Sequence, residues 1–184
     1  MSNTRYIIVA LLPGNVGQQI QDLQHRNINR TWRIIMPSHM TLCGPGKAKV
    51  DRETAVATFR KLRLRQSMFL MKSTRLGIFL NGDHANVVYL GVLADSSLVR
   101  LHNTLSNLAS GFMETSRTFA EYIPHVTLAG DVADETDALR IKEDLVPDVP
   151  SIMRMVSRIV LFAKSDEEPE WVKLAVRDIA SKYR

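Results

Sequence analysis

The chain has 184 residues, which fits one domain or two small, closely packed lobes and is long enough to bury a core without cross-links. Its 45% hydrophobic and 23% charged residues, with 9 Gly and 7 Pro, exclude a disordered, collagenous or coiled-coil protein. Cys43 is the single cysteine, which excludes an internal disulfide and a cysteine-rich zinc site. The formal net charge of +5 suits a polyanionic partner.

The apolar segments are too short for a membrane helix, which needs about 18 residues or more. The longest candidate near the start, Tyr6–Leu12, follows Arg5 but is stopped by Pro13, and no small-residue cleavage pattern follows it. We therefore expect a core strand here rather than a leader. With one cysteine and no predicted membrane segment, we expect a cytoplasmic monomer.

The first part of the chain predicts short strands that alternate with helices. Apolar runs predict the strands, and polar residues ahead of amphipathic stretches predict helix caps. In chain order the predicted elements are strand Tyr6–Leu12, a helix capped by Asn15, strand Trp32–Met36, strand His39–Cys43 ended by residues 44–46, a helix capped by Asp51, and strands Met68–Lys72 and Arg75–Leu80.

The second part of the chain repeats this order. The predicted elements are strand Asn86–Val92, a helix capped by Asp95 or Ser96, strand Thr115–Phe119, strand His125–Ala129 ended by Gly130 and Asp131, a helix capped by Asp134, and strands Ile152–Phe162 and Trp171–Val176. The two series begin about 80 residues apart and match a duplicated β-α-β-β-α-β unit. The pattern predicts two similar lobes related by a pseudo-two-fold axis, with approximate repeat units 5–80 and 86–177.

Two short motifs, Ser38–Leu42 and Pro124–Leu128, each contain His-x-Thr-Leu. Side chains alternate across a strand, so the histidine and threonine of each motif share one face while the residues between them point to the core. Random order would give about 0.03 such matches in this chain, and two are present at equivalent points of the repeat. We therefore infer one small ligand site built from His39, Thr41, His125 and Thr127.

Two histidines facing one cleft suit displacement at a phosphodiester, which needs one base and one acid. Histidine, with an ordinary pKa of about 6.5, can serve as either near neutral pH. The threonine hydroxyls can donate hydrogen bonds to phosphate oxygens and hold the phosphate between the rings. This chemistry requires no metal.

With these motifs the chain resembles the 2H phosphoesterase superfamily, specifically its 2′-5′ RNA ligase and cyclic phosphodiesterase branch. The segments that carry the resemblance are the two motifs, the opening strand Arg5–Pro13, the strands Leu76–Phe79 and Val87–Val92, and Arg117–Phe119 ahead of Pro124–Ala129. The resemblance implies an α+β fold in a single bilobal domain over residues 1–184. In such a fold, two lobes of antiparallel sheet carry helices on their outer faces and enclose the active cleft.

The resemblance also implies roles for the motif residues. His39 and His125 would be the acid–base pair, and Thr41 and Thr127 would bind phosphate, in a reaction without metal or cofactor. We assign His125 as the base that activates water and His39 as the acid; the near symmetry of the motifs leaves the reverse open. The expected activity is hydrolysis of a 2′,3′-cyclic phosphate or a 2′-5′ linkage in RNA or nucleotides.

Several other residues are candidates for substrate contact. Lys47 and Lys49 follow the first motif and could bind a substrate phosphate, and Tyr122 could stack on a base. Trp32 could also stack, although core packing is the favoured role. The basic run 60–65 could follow a nucleic-acid backbone or simply complement the dipole at a helix end.

The remaining chemistry-bearing residues favour structural roles. Cys43 could be a catalytic thiol but is better explained as a small buried residue. A zinc site formed by the two motif histidines and Asp131 is disfavoured, because a threonine intervenes and the histidines have no third ligand clustered with them in the sequence. His25, His84 and His102 are interpreted as surface or boundary residues.

Three alternative functions stay open at this point. The fold could be retained in a non-catalytic RNA- or nucleotide-binding module, for which the basic run and net charge would serve equally well. The same motif residues could also serve a 2′-5′ RNA ligase or a phosphodiesterase of a signalling oligonucleotide. A pH–rate profile with two limbs would distinguish an enzyme from a binding module.

Overall fold

The structure is a computed structural model that describes residues 3–26, 36–62, 64, 68–80, 86–115 and 122–179. This part of the chain contains eight strands and four helices. In chain order they are β1 (Arg5–Leu11), α1 (Gly14–Arg26), β2 (His39–Lys47), α2 (Arg52–Lys61), β3 (Phe69–Phe79), β4 (Asn86–Val92), α3 (Ser96–Ala109), β5 (His125–Val132), α4 (Glu135–Leu145), β6 (Met153–Val156), β7 (Arg158–Lys164) and β8 (Val172–Asp178).

The strands form two four-stranded sheets, with the orders β2-β1-β7-β8 and β5-β4-β3-β6. Every strand pair is antiparallel. Helix α2 packs against the first sheet through β7 and β8, and α4 packs against the second through β3, β4 and β5. The predicted α+β fold with two lobes of antiparallel sheet is confirmed.

Each sheet takes one of its inner strands from the other half of the chain. Strand β3 follows β2 and α2 of the first sheet in sequence, yet it pairs with β4 in the second sheet. Strand β7 follows β5 and α4 of the second sheet, yet it pairs with β1 in the first. Neither sheet is therefore built from the strands of one repeat unit alone. The division of the chain into repeat units 5–80 and 86–177 stays a prediction.

Alternation along the strands places two sets of apolar side chains on opposite faces of the first sheet. Tyr6, Ile8 and Ala10 lie in the main core with the buried faces of the helices and of the second sheet. The residues between them form a smaller cluster on the other face with β7; its buried members are Ile7, Val9, Met36, Val160 and Phe162. The smaller cluster shares its face with His39 and Thr41, which are paired with Leu11 and Val9.

Two predicted strand ends and one predicted break are wrong. β2 does not end at Cys43 but continues to Lys47, because a register shift against β1 accommodates Gly44, whose φ is 95°. β5 likewise passes Gly130 and Asp131 and ends at Val132. The two predicted strands Met68–Lys72 and Arg75–Leu80 are one strand, β3, which pairs with β6 at one end and, beyond a register shift, with β4 at the other.

Two further boundaries differ from the sequence prediction. The predicted strand Ile152–Phe162 is two strands, because β6 ends at Val156 in the second sheet and β7 begins at Arg158 in the first. Helix α1 begins at Gly14, so Asn15 lies inside it rather than at its cap. All but the first residue of the predicted strand Thr115–Phe119, and all but the last residue of Trp32–Met36, lie outside the described residues.

The predicted aspartate caps are confirmed. The side chains of Asp51, Asp95 and Asp134 accept hydrogen bonds from the backbone N–H three residues later, at the starts of α2, α3 and α4. Each carboxylate satisfies an N–H that the helix itself leaves without a partner. No helix in the described ranges is both long enough and apolar enough to cross a membrane.

Candidate active site

The two His-x-Thr motifs occupy equivalent positions in the two sheets. His39 is the first residue of β2 and His125 the first residue of β5. Both histidines and both threonines are partly buried, whereas the residues between and after them are fully buried. The predicted alternation is confirmed: one face of each strand anchors the core and the other presents an imidazole with a hydroxyl.

The same backbone hydrogen bond holds each imidazole. His39 Nδ1 lies 2.8 Å from the carbonyl oxygen of Pro37, and His125 Nδ1 lies 2.8 Å from that of Ile123. A carbonyl oxygen can only accept, so Nδ1 carries the proton in both rings. In the neutral ring, Nε2 therefore has the lone pair that can take a proton and, once protonated, can return one.

The fold brings the two histidine strands into contact, with β2 packed against β5. Burial is the main cause that lowers the pKa of His39 below its ordinary value, and the positive charge of His125 lowers it further. Burial also lowers the pKa of His125, while the carbonyl of Ile123 opposes that shift. The two imidazoles therefore lie within electrostatic range of each other, in surroundings that favour their neutral forms.

A buried glutamine on α1 links the two motifs directly. Gln24 Nε2 donates to the carbonyl oxygen of Thr127 at 2.7 Å, and its Oε1 accepts from the hydroxyl of Ser38 at 3.1 Å. Ser38 precedes His39, so one amide side chain is bonded to both histidine strands. Gln24 and Ser38 are both buried, where an unmet polar group would be costly.

A second link joins the segment ahead of the second motif to the first motif. The hydroxyl of Tyr122 donates to the carbonyl oxygen of Thr41 at 2.8 Å. The Tyr122 ring stacks on His102 of α3 at 3.9 Å, and His102 Nδ1 lies 2.8 Å from the carbonyl oxygen of Leu42. Burial raises the pKa of the Tyr122 hydroxyl, which keeps it a donor at neutral pH. Tyr122 thus lies at the site, but its hydroxyl bonds to protein.

Aromatic rings surround His125 on its own sheet. Phe79 and Tyr89 stack on each other with ring centroids 4.2 Å apart. The imidazole of His125 meets both rings edge to face, at 4.9 Å and 5.3 Å. The first motif has aliphatic cross-strand partners instead, namely Leu11 beside His39 and Val9 beside Thr41.

The two lysines predicted to bind substrate do not lie with the histidines. Lys47 pairs with Arg5 at the start of β1, whereas His39 pairs with Leu11 at its end, about 20 Å away along the strand. Lys49 lies beyond Lys47, and its ammonium donates to the carbonyl oxygen of Ser110 at 2.9 Å. Continuation of β2 past Cys43 carries both side chains away from the motif.

The described start of the basic run lies away from the histidine strands, and Arg63 and Arg65 lie outside the described residues. Arg60 and Lys61 lie in the last turn of α2. This helix packs on β7 and β8, and β8 is the edge strand opposite to β2 in the first sheet. Arg177 of β8 donates to carbonyl oxygens at this helix end. Trp32 and His84 lie outside the described residues.

The structure favours a packing role for Cys43. Its side chain is 3% exposed, and burial raises the pKa of its thiol to about 11, so it is not a thiolate at neutral pH. Across the described residues, no group of three or more His, Cys, Asp or Glu side chains is placed to hold a metal ion. The absence of a metal requirement stays a prediction.

Sequence reasoning missed Gln24, His102, Phe79 and Tyr89. Gln24 could have been found, because it lies four residues after Ile20 on the apolar face of α1, where a polar side chain needs a partner. His102 similarly follows Leu98 and Leu101 on a helix with buried leucines. The aromatic pair gives no such signal, because alternating aromatic and aliphatic residues are typical of any strand.

Comparison with known proteins gives one family and a consistent set of structures. The family model of the 2′-5′ RNA ligase superfamily matches residues 12–168. The structure of E. coli LigT in its apo form is 20% identical, covers 97% of this chain and 98% of that one, and gives a TM-score of 0.65. A second structure, described as a phosphoesterase, is 21% identical over 97% and 99% of the two chains, with a TM-score of 0.67.

A third structure has the same fold at lower identity. The protein TT0787 of Thermus thermophilus is 17% identical, covers 97% of this chain and all of that one, and gives a TM-score of 0.62. No curated protein sequence matches this chain.

Proposed function

The chain belongs to the 2′-5′ RNA ligase superfamily, and we propose that it is a phosphodiesterase that hydrolyses 2′,3′-cyclic phosphates or 2′-5′ linkages of RNA or nucleotides without a metal. The observation that carries this proposal is the pair of imidazoles, each of which has its Nδ1 hydrogen-bonded to a backbone carbonyl. Two residues after each histidine, a threonine hydroxyl lies on the same face of the strand. The two motifs together supply a base, an acid and two hydroxyl groups that can donate hydrogen bonds to a phosphate.

For a cyclic phosphate the reaction proceeds by in-line attack of water on phosphorus. Nε2 of His125 takes a proton from the water as its oxygen bonds to phosphorus. The bond from phosphorus to one ribose oxygen breaks, and protonated Nε2 of His39 gives its proton to that oxygen. The hydroxyls of Thr41 and Thr127 donate to the non-bridging oxygens. The product is a nucleoside monophosphate, in which one ribose oxygen carries the phosphate and the other is a free hydroxyl.

The low pKa of both histidines fits the role of the base directly. An acid with a lowered pKa would be largely neutral in the free protein at pH 7. A bound phosphodiester carries a negative charge, which favours the protonated imidazole and raises the pKa of His39. Substrate binding itself therefore prepares the acid.

The ligands of the solved relatives are compatible with this substrate class. E. coli LigT is solved in complexes with phosphate and with 3′-AMP. A ribose monophosphate ester is also the product of the proposed reaction.

A screen with EDTA present tests the proposal. The substrates are 2′,3′-cyclic mononucleotides, ADP-ribose cyclic phosphate and 2′-5′ dinucleotides, with product analysis by chromatography. We expect turnover of at least one cyclic phosphate that persists in EDTA. Binding of these nucleotides without turnover at any pH would contradict the proposal and identify a binding module, and activity abolished by EDTA would contradict metal independence.

A further inference from the structure

The stacked rings of Phe79 and Tyr89 lie on the same face of the second sheet as the second motif. Tyr89 is paired with Thr127 across β4 and β5, and Gly91 is paired with His125. Directly paired residues project to the same face of a sheet. The two rings, the imidazole and the threonine hydroxyl therefore form one continuous surface.

A glycine on β3 makes room for this arrangement. Gly77 is paired with Tyr89, and a Cβ built on Gly77 would lie 2.3 Å from Cζ of the tyrosine ring. Any side chain at position 77 would displace the ring from its position beside His125. The close approach of Tyr89 to the backbone of β3 thus requires glycine at this position.

The exposure of the two rings distinguishes them from the core aromatics. Phe79 and Tyr89 are partly exposed, whereas the aromatic residues of the main core are buried: Tyr6, Phe59, Phe69 and Phe112. An aromatic side chain contributes most to stability when fully buried. Keeping two of them partly open to solvent beside a catalytic residue indicates a surface for a planar ligand.

Among the residues that the structure describes, no equivalent aromatic surface lies at the motif of the first lobe. The cross-strand partners of His39 and Thr41 are Leu11 and Val9, and Tyr122 donates its hydroxyl to the Thr41 carbonyl while stacked on His102. Within the described residues, a planar ligand therefore meets aromatic rings beside His125 and the aliphatic side chains of Leu11 and Val9 beside His39 and Thr41.

We propose that Phe79 and Tyr89 form the binding site for a nucleobase of the substrate, on the His125 side of the reacting phosphate. In a nucleoside 2′,3′-cyclic phosphate, only the ribose separates the base from the phosphate, so a phosphate held by His125 and Thr127 places the base beside these rings. Every nucleobase has a π-face, and stacking is tolerant of base identity. This inference rests on the proposed function for the chemistry at phosphorus.

A purely structural role makes a different prediction. If the rings only orient His125, removing one of them lowers the reaction rate of every substrate by the same factor. If they bind a base, the loss is specific to substrates that have a base. The informative quantity is therefore the ratio of kcat/KM for a substrate with a base to kcat/KM for one without.

The test compares adenosine 2′,3′-cyclic phosphate with 1-O-methylribofuranose 2′,3′-cyclic phosphate, which lacks the base. Because stacking contributes about 1–3 kcal/mol per base, Phe79→Leu should lower the ratio about 5- to 150-fold, and Phe79→Trp should restore most of it. Leu80→Ala is the matched control: this neighbouring side chain is 54% exposed, and its removal should leave the ratio unchanged. An unchanged ratio in Phe79→Leu overturns the proposal.

A binding measurement separates failure of this inference from failure of the proposed function. Affinities of 3′-AMP and ribose 3-phosphate are measured by calorimetry for the natural protein and for Phe79→Leu. Tighter binding of 3′-AMP that is lost in the variant supports the base site even if no substrate turns over. Turnover with equal affinities for the two ligands overturns the base site and leaves the proposed reaction standing.

Discussion

On β2 the cross-strand neighbours of His39 and Thr41 are aliphatic, whereas on β5 those of His125 and Thr127 are a glycine and a tyrosine. The two strands otherwise match closely. Each begins with its histidine, buries the next residue, and bonds Nδ1 to the carbonyl two residues back. The shared features are those that acid–base chemistry needs, and the differences lie where a substrate would contact the protein.

The comparison indicates how a near-symmetric site can treat the two ends of its substrate differently. In the described part of the chain, neither imidazole has an acidic partner that would fix it as base or acid; both bond to backbone carbonyls. In the proposed reaction, the orientation of the bound substrate would decide which histidine faces the water and which faces the leaving oxygen. The proposed base site at Phe79 and Tyr89 would give the substrate a preferred orientation.

The largest effect is expected from removing either imidazole. His39→Ala and His125→Ala should each lower kcat by about 10²–10⁴, because each removes one of the two proton transfers. Turnover of the best cyclic phosphate in the screen provides the measurement, and circular dichroism confirms that the variants are folded. Full turnover in either variant contradicts a two-histidine mechanism.

The threonine hydroxyls should rank second. Thr41→Val and Thr127→Val keep the shape of the side chain but remove a hydrogen bond to a charged oxygen, which contributes about 1.5–3 kcal/mol. We therefore expect kcat/KM to fall about 10- to 150-fold in both variants. The serine variants retain the hydroxyl and should recover most of the loss; a valine variant at either position with normal kcat/KM argues against phosphate binding by that threonine.

The two links between the motifs should differ in how much they contribute to the unfolding free energy of the protein. Gln24→Leu leaves the Ser38 hydroxyl and the Thr127 carbonyl without their partner, which should cost about 1–3 kcal/mol of unfolding free energy. Tyr122→Phe removes one hydrogen bond and keeps the ring stacked on His102, so about 0.5–1.5 kcal/mol is expected. Urea denaturation measures both, and a larger loss in Tyr122→Phe than in Gln24→Leu contradicts this ranking.

The smallest expected effect is a displacement of the pH profile. The limbs of kcat/KM report the pKa values of the free enzyme. Because burial lowers the pKa of His39 and of His125, both limbs should lie below the ordinary value of about 6.5. The optimum of kcat should lie at higher pH than that of kcat/KM, since the bound anion raises the pKa of the acid. A kcat/KM optimum above pH 7 would show that burial does not control these groups.

Strand alternation explains why the shared face of each motif's histidine and threonine could be predicted from the sequence. His39 and Thr41, like His125 and Thr127, are only two residues apart, so a single local rule places each pair on one face. The aspartate caps are equally local, since Asp51 bonds to an N–H only three residues away. Features set by interactions over a few residues are therefore predictable here.

Features that depend on distant segments were not predictable. Lys47 follows the motif closely in sequence, yet the continuation of β2 along β1 takes it to the opposite end of the sheet. The exchange of β3 and β7 between the sheets follows from pairing across the whole chain. Phe79, Tyr89 and His125 meet only because β3, β4 and β5 are neighbours, and nothing in the sequence of any one strand indicates it.

The central claim is that one phosphate lies between the two imidazoles, and a histidine NMR titration with inorganic phosphate tests it most directly. The ring signals are assigned with the two alanine variants. We predict that the signals of His39 and His125 respond together with a single dissociation constant and that phosphate raises both pKa values. Signals that respond with different dissociation constants, or a response from only one ring, would contradict the claim.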